Sequence, residues 1–373
     1  MQANTRRFDI DWWRVIAIIG VYLHHIGMPF NGDDFHIMND QSSKLLDDIM
    51  VFFEQFRLPL LFTISGVGTV YAFSKRNAWQ FIKERAYRLL IPLIFGVLVI
   101  VPPQTYFEHK ESYASYWDVY SNLFSNLEAN HLWFIENLFY ISIAALPLII
   151  FFRSKKSQKL LHFLNKLSRK RYGMFLFVIP LLAIKIISKK YYPDDSKDIT
   201  NLSSTLFYGY FFFMGIVITS SKQMWTHLKR FRRFNLIVAS ASILLFYTYY
   251  FLPQEIVATH LTIPTRWSIW HGISALVSWT LICTALGYGQ VWFQKPSQLL
   301  FRLNEGIYPF YILHQTVLIV VGYYIIPLSM PIALKIGLLL LITFPVIIIL
   351  YRTLVYPFKL ARVMFGMKRK SKE

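Results

Sequence analysis

The chain has 373 residues, 55% of them hydrophobic and only 16% charged, with a mean hydropathy of +0.41 and a formal net charge of +19. Soluble domains carry roughly a quarter charged residues, so a soluble globular fold is excluded. The apolar runs are continuous rather than alternating, which excludes a transmembrane β-barrel and leaves an all-α polytopic membrane protein.

Ten transmembrane helices are predicted, near 12–30, 49–73, 88–107, 132–152, 173–189, 204–220, 235–252, 268–288, 307–326 and 332–351. With the N-terminus inside, the inward-facing segments hold 29 of the 39 Lys and Arg, and the outward-facing ones hold 7. Positive charge accumulates on cytoplasmic loops, so both termini are expected in the cytoplasm and the protein in the cell (inner) membrane as a multi-pass chain. The same asymmetry explains the basic balance without a nucleic-acid partner. The chain reads as one integral-membrane domain over 1–373, with a basic cytoplasmic tail over 353–373 and no appended soluble domain. The first span lacks the cleavage site of a leader and is kept. Segment 153–172 is dense in Lys and Arg and suits an amphipathic helix on anionic lipid. The single cysteine, Cys283, allows neither an intrachain disulfide nor a thiolate metal cluster, and no metal site or resident cofactor is expected.

Ionisable residues inside spans cost about 2.5–3.5 kcal/mol each on insertion scales and mark the places to look for chemistry. On the first span, Arg14 and His25 lie eleven residues apart. At 100° per residue they share a helix face, about 16 Å apart along the axis. Asp11 stands one turn before Arg14 and can pair with it, whereas His24 points about 100° away from His25 and suits packing. In the second span the small residues Ser65 and Gly66 suit either close helix packing or a wall open to substrate. Arg85 and Arg88 open the third span at i and i+3, where two guanidiniums suit phosphate oxygens or simple anchoring. His131, Trp133 and Glu136 gather at the outer end of the fourth span. Tyr311 and His314 share a face on the ninth, where Pro309 permits a local break, and His314 suits either the cavity lined by His25 or an interhelical hydrogen bond.

In their order, DIDWWR with His25, FTISGVG, ERAYRLLIP, HLWFIENL and YPFYILHQ resemble the integral-membrane acyltransferase family 3, over almost the whole chain. FRLPLLFTISG and PPQTY are similar to its branch that succinylates periplasmic glucans. The resemblance implies a membrane-bound O-acyltransferase. It would move an acyl group, acetyl or succinyl, from cytoplasmic acyl-coenzyme A to a hydroxyl of an envelope carbohydrate or glycolipid, as in polysaccharide O-acetylation. It implies that His25 is the essential histidine and Arg14 the essential arginine, and that Arg85 and Arg88 hold acyl-coenzyme A, a co-substrate rather than a bound cofactor; Arg14 is expected to join them at its phosphates. Ser65, Gly66, Trp133 and His314 fall on motif positions of less defined role. Glu136 or another buried carboxylate is expected to orient His25, and His25 is expected to act either as general base or through an acyl-histidine. The rival reading is a multi-pass transporter or flippase of a glycan precursor without acyl chemistry. The sequence leaves the acyl group, the acceptor and the oligomeric state open.

Overall fold

Helix accounts for 81% of the computed structural model, which describes residues 6–123 and 128–368, and no strand occurs among the described residues. The last five residues of the expected basic tail lie outside them. In chain order the helices used below are α1 (Phe8–Asn31), α2 (Lys44–Glu54), α3 (Arg57–Phe73), α4 (the run Ala78–Glu108), α5 (Trp133–Ala144), α6 (Leu146–Arg153), α7 (Gln158–Arg169), α8 (Val178–Tyr191), α9 (Leu202–Ser220), α10 (Lys222–Arg230), α11 (Arg232–Tyr250), α12 (Ile263–Trp292), α13 (Gln298–Ile325), α14 (Ile332–Leu350) and α15 (Lys359–Met364).

Six helices or helix runs are long and apolar enough to cross a membrane: Lys44–Phe73, α4, α9, α12, α13 and Ile332–Val355. A helix pair bent by 47°, Asn130–Ala144 with α6, would make a seventh. Three of the ten expected spans fall on other elements. The first is α1, which carries Asp9, Asp11 and Arg14 in its opening turns. The segment expected at 173–189 is a 3-10 turn, Gly173–Phe177, followed by the 14-residue α8. The segment expected at 235–252 is α11, 19 residues diluted by Ser and Tyr.

The chain groups into two compact units. One comprises residues 1–14, 55–78 and 141–296; the other comprises 15–54, 79–140 and 297–373. In the first unit α3 and α9 meet backbone to backbone. A Cβ on Gly66 would stand 2.0 Å from the Phe212 carbonyl oxygen, and one on Gly215 would stand 2.1 Å from that of Thr63. Only glycine permits this approach. Beside the crossing, Phe62 stacks on Tyr208 with centroids 4.8 Å apart. The indole of buried Trp279 donates to the Met174 carbonyl at 2.7 Å.

In the second unit the broken run α4 sets the geometry. It winds through two π-turns, Ala86–Leu90 and Gly96–Ile100, around Pro92 and before Pro102. A proline removes the donor owed to the carbonyl four residues earlier. Pro92 thus deprives the Arg88 carbonyl, and the Tyr308 hydroxyl of α13 donates to it at 3.1 Å. Pro102 deprives the Leu98 carbonyl, which takes the Tyr120 hydroxyl at 3.3 Å. The Thr316 hydroxyl donates to the Ile100 carbonyl at 2.7 Å. Neighbouring side chains therefore meet freed carbonyls, which lipid would not. Two of the three donors come from α13 and fix α4 against it. Lys335 of α14, a charge inside an expected span, is buried. Its ammonium donates to Asn39 Oδ1 at 2.6 Å and to the Ile326 carbonyl at 2.5 Å, tying the segment after α1 to α14.

Candidate active site

Half-buried His25 stands about one and a half turns before the end of α1. Its Nδ1 lies 2.7 Å from Nε2 of the buried His314 on α13. The two rings are 2° from parallel with centroids 5.0 Å apart, a separation reached when imidazoles lie edge to edge in one plane. His314 Nδ1 in turn bonds the Tyr311 carbonyl oxygen. That oxygen can only accept, so His314 Nδ1 carries the proton, and Nε2 of the neutral ring is an acceptor. His25 Nδ1 is therefore the donor between the rings. The basic lone pair of neutral His25 falls on Nε2, the nitrogen turned away from His314.

His131, just before α5, packs edge-on to His314 with centroids 5.4 Å apart. Its Nε2–H donates to the Ile312 carbonyl at 3.0 Å, so its Nδ1 accepts, and Gln104 Nε2 lies 3.2 Å from it. The Tyr311 hydroxyl donates to the His131 carbonyl. Tyr311 therefore braces both histidines, one through its carbonyl and one through its hydroxyl. His25, His131, Tyr311 and His314 come together within one unit.

A polar strip continues from this cluster. Gln315 donates to Asn130 Oδ1 at 2.8 Å and to Gln104 Oε1 at 3.2 Å, and its amide nitrogen lies 3.0 Å from His36 Nε2. His36 Nδ1 bonds Glu108. Asn130 has φ 46°, the left-handed region that Asn tolerates better than most residues, and its Oδ1 also accepts the His131 N–H at 2.7 Å. Phe35 lies beside His25 with centroids 6.3 Å apart. Beyond the strip an aromatic group surfaces. Tyr106 meets Tyr116 at 5.5 Å, Tyr116 meets Trp117 at 5.4 Å, and Trp117 is 73% exposed. Reading of the sequence missed Gln104, Gln315, His36, Glu108 and Asn130. Two of them carried a signal, a glutamine in the apolar stretch VPPQTY and another directly after His314.

The other expected residues are distributed as follows. Glu136 and Trp133 occupy the first turn of α5, both half-buried. His25 Nδ1 is engaged by His314. His24 points to α2, where its Nε2 lies 3.3 Å from Glu54. Arg85 directly precedes the π-turn and Arg88 is its third residue, and the wider winding shifts the i, i+3 alignment of a regular α-helix. The Arg85 guanidinium lies 4.8 Å over the Phe81 ring, and Arg88 Nε lies 3.9 Å from Glu84. Both arginines share the unit of His25. Arg14 belongs to the other unit and bonds Asp11 at 3.1 Å, an aspartate that also takes Arg6 at 2.7 Å. Ser65 is half-buried on α3, and Gly66 packs against the α9 backbone as described above. Among the described residues no group of three or more His, Cys, Asp or Glu is arranged to hold a metal ion.

A family model described as "Acyltransferase domain" matches residues 7–352. The chain belongs to acyltransferase family 3. No curated protein and no solved structure matches it. The match takes in every expected site residue and runs through both units, so the acyltransferase assignment covers both. With its apolar helices, the protein is a membrane acyltransferase.

Proposed function

We propose that the protein is an O-acyltransferase of the cell membrane in which His25 Nε2 is the general base. The chain of bonds from the Tyr311 carbonyl through His314 to His25 carries this reading, because it leaves the basic lone pair on one defined nitrogen. An acceptor hydroxyl gives its proton to Nε2 as its oxygen attacks the thioester carbonyl of acyl-coenzyme A. The carbon–sulfur bond then breaks, and the proton on Nε2 passes to the departing thiolate. An ester and free coenzyme A result. Throughout, His25 Nδ1–H stays donated to His314, which steadies the imidazolium as the carboxylate does in a serine-protease triad. This assigns to His314 the orienting part expected of Glu136.

Arg85 and Arg88 are the candidates for the coenzyme phosphates, because two guanidiniums at one helix entrance suit phosphate oxygens. Arg14 is a further candidate through its place on the same helix as His25. The exposed aromatic group around Tyr116 and Trp117 supports a carbohydrate or glycolipid acceptor, since sugar rings stack on aromatic faces. A transporter of glycan precursors would have no use for a tautomer-locked base and is not favoured.

Purified protein incubated with acetyl- or succinyl-coenzyme A should consume thioester slowly without acceptor and faster with it. His25→Ala should lower the rate by at least about a hundredfold. Unchanged thioester consumption in that variant overturns the base assignment. Radiolabelled acyl recovered on the enzyme after a single turnover would replace direct transfer with an acyl-enzyme.

A further inference from the structure

At the start of α13 and the end of the Ile332–Val355 run, the second unit holds a cavity of about 280 Å³ lined by Arg302, Glu305, Tyr351, Arg352 and Tyr356. Its one carboxylate is already engaged. Glu305 pairs at 3.0 Å with Arg362 of α15, whose side chain is only 5% exposed. Among the described residues, neither the Arg302 nor the Arg352 guanidinium has a hydrogen bond or ion pair. Arg352 is nonetheless held, with its guanidinium carbon 5.3 Å from the Tyr356 ring centroid and 5.9 Å from that of Tyr351. A π-turn, closed by the Tyr356 N–H to the Tyr351 carbonyl at 2.8 Å, brings these residues together. Such turns recur at functional sites.

The surroundings indicate what anion fits. Leu354 and Phe358, each 58% exposed, and Leu360, 67% exposed, flank the cavity in sequence. Ile349, one turn earlier, is 58% exposed, and only 22% of the most apolar window of the Ile332–Val355 run is buried within the protein. This exposed apolar flank suits lipid, and the cavity lies where the flank ends. Its volume falls just under the about 300–1,000 Å³ typical of drug-sized ligand pockets, which suits a headgroup better than a whole nucleotide.

We infer that this cavity binds the headgroup phosphate of an anionic phospholipid between Arg302 and Arg352. Basic pockets at the ends of transmembrane helices recognise such headgroups, and the guanidinium fork matches phosphate oxygens. Arg362 neutralises Glu305 from behind, so that two cations face the site. The inference does not depend on the acyl-coenzyme A reading.

The test is native mass spectrometry of the purified chain in lipid-free detergent, titrated with phosphatidylglycerol or phosphatidylcholine of the same chains. Wild type should retain phosphatidylglycerol about thirtyfold better, the scale set by two cations near a charged headgroup. The Arg302→Ala/Arg352→Ala variant should lose that preference. Equal retention of both lipids by wild type, or an undiminished preference in the variant, overturns the proposal. So does displacement of phosphatidylglycerol by adenosine 3′,5′-bisphosphate together with loss of that nucleotide in the variant, which would assign the phosphate to the acyl donor. Should the paired variant not fold, Glu305→Gln decides. Removing the cavity's carboxylate should raise phosphatidylglycerol retention, and no rise overturns the proposal.

Discussion

His314 meets His25 through one hydrogen bond, and in the proposed mechanism the kind of bond matters more than its presence. A side chain at 314 must accept from His25 Nδ1–H while being held from behind by the Tyr311 carbonyl. Glutamine can do both, with its oxygen toward His25 and its N–H toward a carbonyl. Alanine can do neither and frees the His25 ring to turn or change tautomer. His314→Ala should therefore lower kcat for acyl transfer by about a hundredfold or more, with His314→Gln recovering a measurable part. A merely structural role would move melting temperature and kcat together, and glutamine would rescue neither selectively. Equal kcat losses in the two variants would remove His314 from the mechanism. The histidines themselves were legible in the sequence, because ionisable residues inside apolar runs stand out. Their mutual bond was not, because 289 residues separate His25 from His314 and no helical spacing joins them. Gln104, His36 and Asn130 were hidden for another reason. Uncharged or loop polar residues carry little contrast until the fold gathers them.

At the scale of elements, the breaks in α4 position the arginines and the polar strip. The sequence announces breaks through Pro92, Pro102 and Pro103, but not that winding resumes through π-turns, since those arise from how neighbours satisfy freed carbonyls. Tyr308 is the clearest case. Its hydroxyl meets the carbonyl that Pro92 leaves without a donor. Tyr308→Phe should orphan that carbonyl and destabilise the protein by about 1–3 kcal/mol, read as a lower melting temperature in detergent. Replacing the proline supplies the missing N–H, so Tyr308→Phe should cost markedly less in a Pro92→Ala background. The coupling between the two sites should reach about 0.5–3 kcal/mol. Simple additivity would show that the hydroxyl is not serving that carbonyl. The α3–α9 crossing was better foreshadowed. Small residues in FTISGVG suggested either close packing or an open wall, and the Gly66 face is filled by the α9 backbone.

For the whole molecule, composition was enough to give an all-α membrane protein, because helix is the simplest way to satisfy backbone groups in lipid. The number of crossings is harder to read. α1 mixes an apolar body with Asp9, Asp11 and Arg14, and α8 is short, so hydropathy and helix length give different counts. The sidedness predicted from Lys and Arg can be tested independently of that count, and the composition offers a convenient means. Cys283 is the only cysteine and is 1% exposed, so an introduced cysteine would be the one reactive thiol. Lys75, before α4, and Ser112, after it, are both exposed and are separated by that single helical run. If α4 crosses once with its N-terminal end inside, Ser112→Cys in spheroplasts should react with a membrane-impermeant maleimide. Lys75→Cys and Lys368→Cys should react only after the membrane is permeabilised. Labelling of Lys75→Cys and Ser112→Cys from the same side would mean that α4 re-enters rather than crosses. That result would put Arg88 and the polar strip at one surface and deny the acyl donor and acceptor the opposite entrances that transfer across a membrane requires.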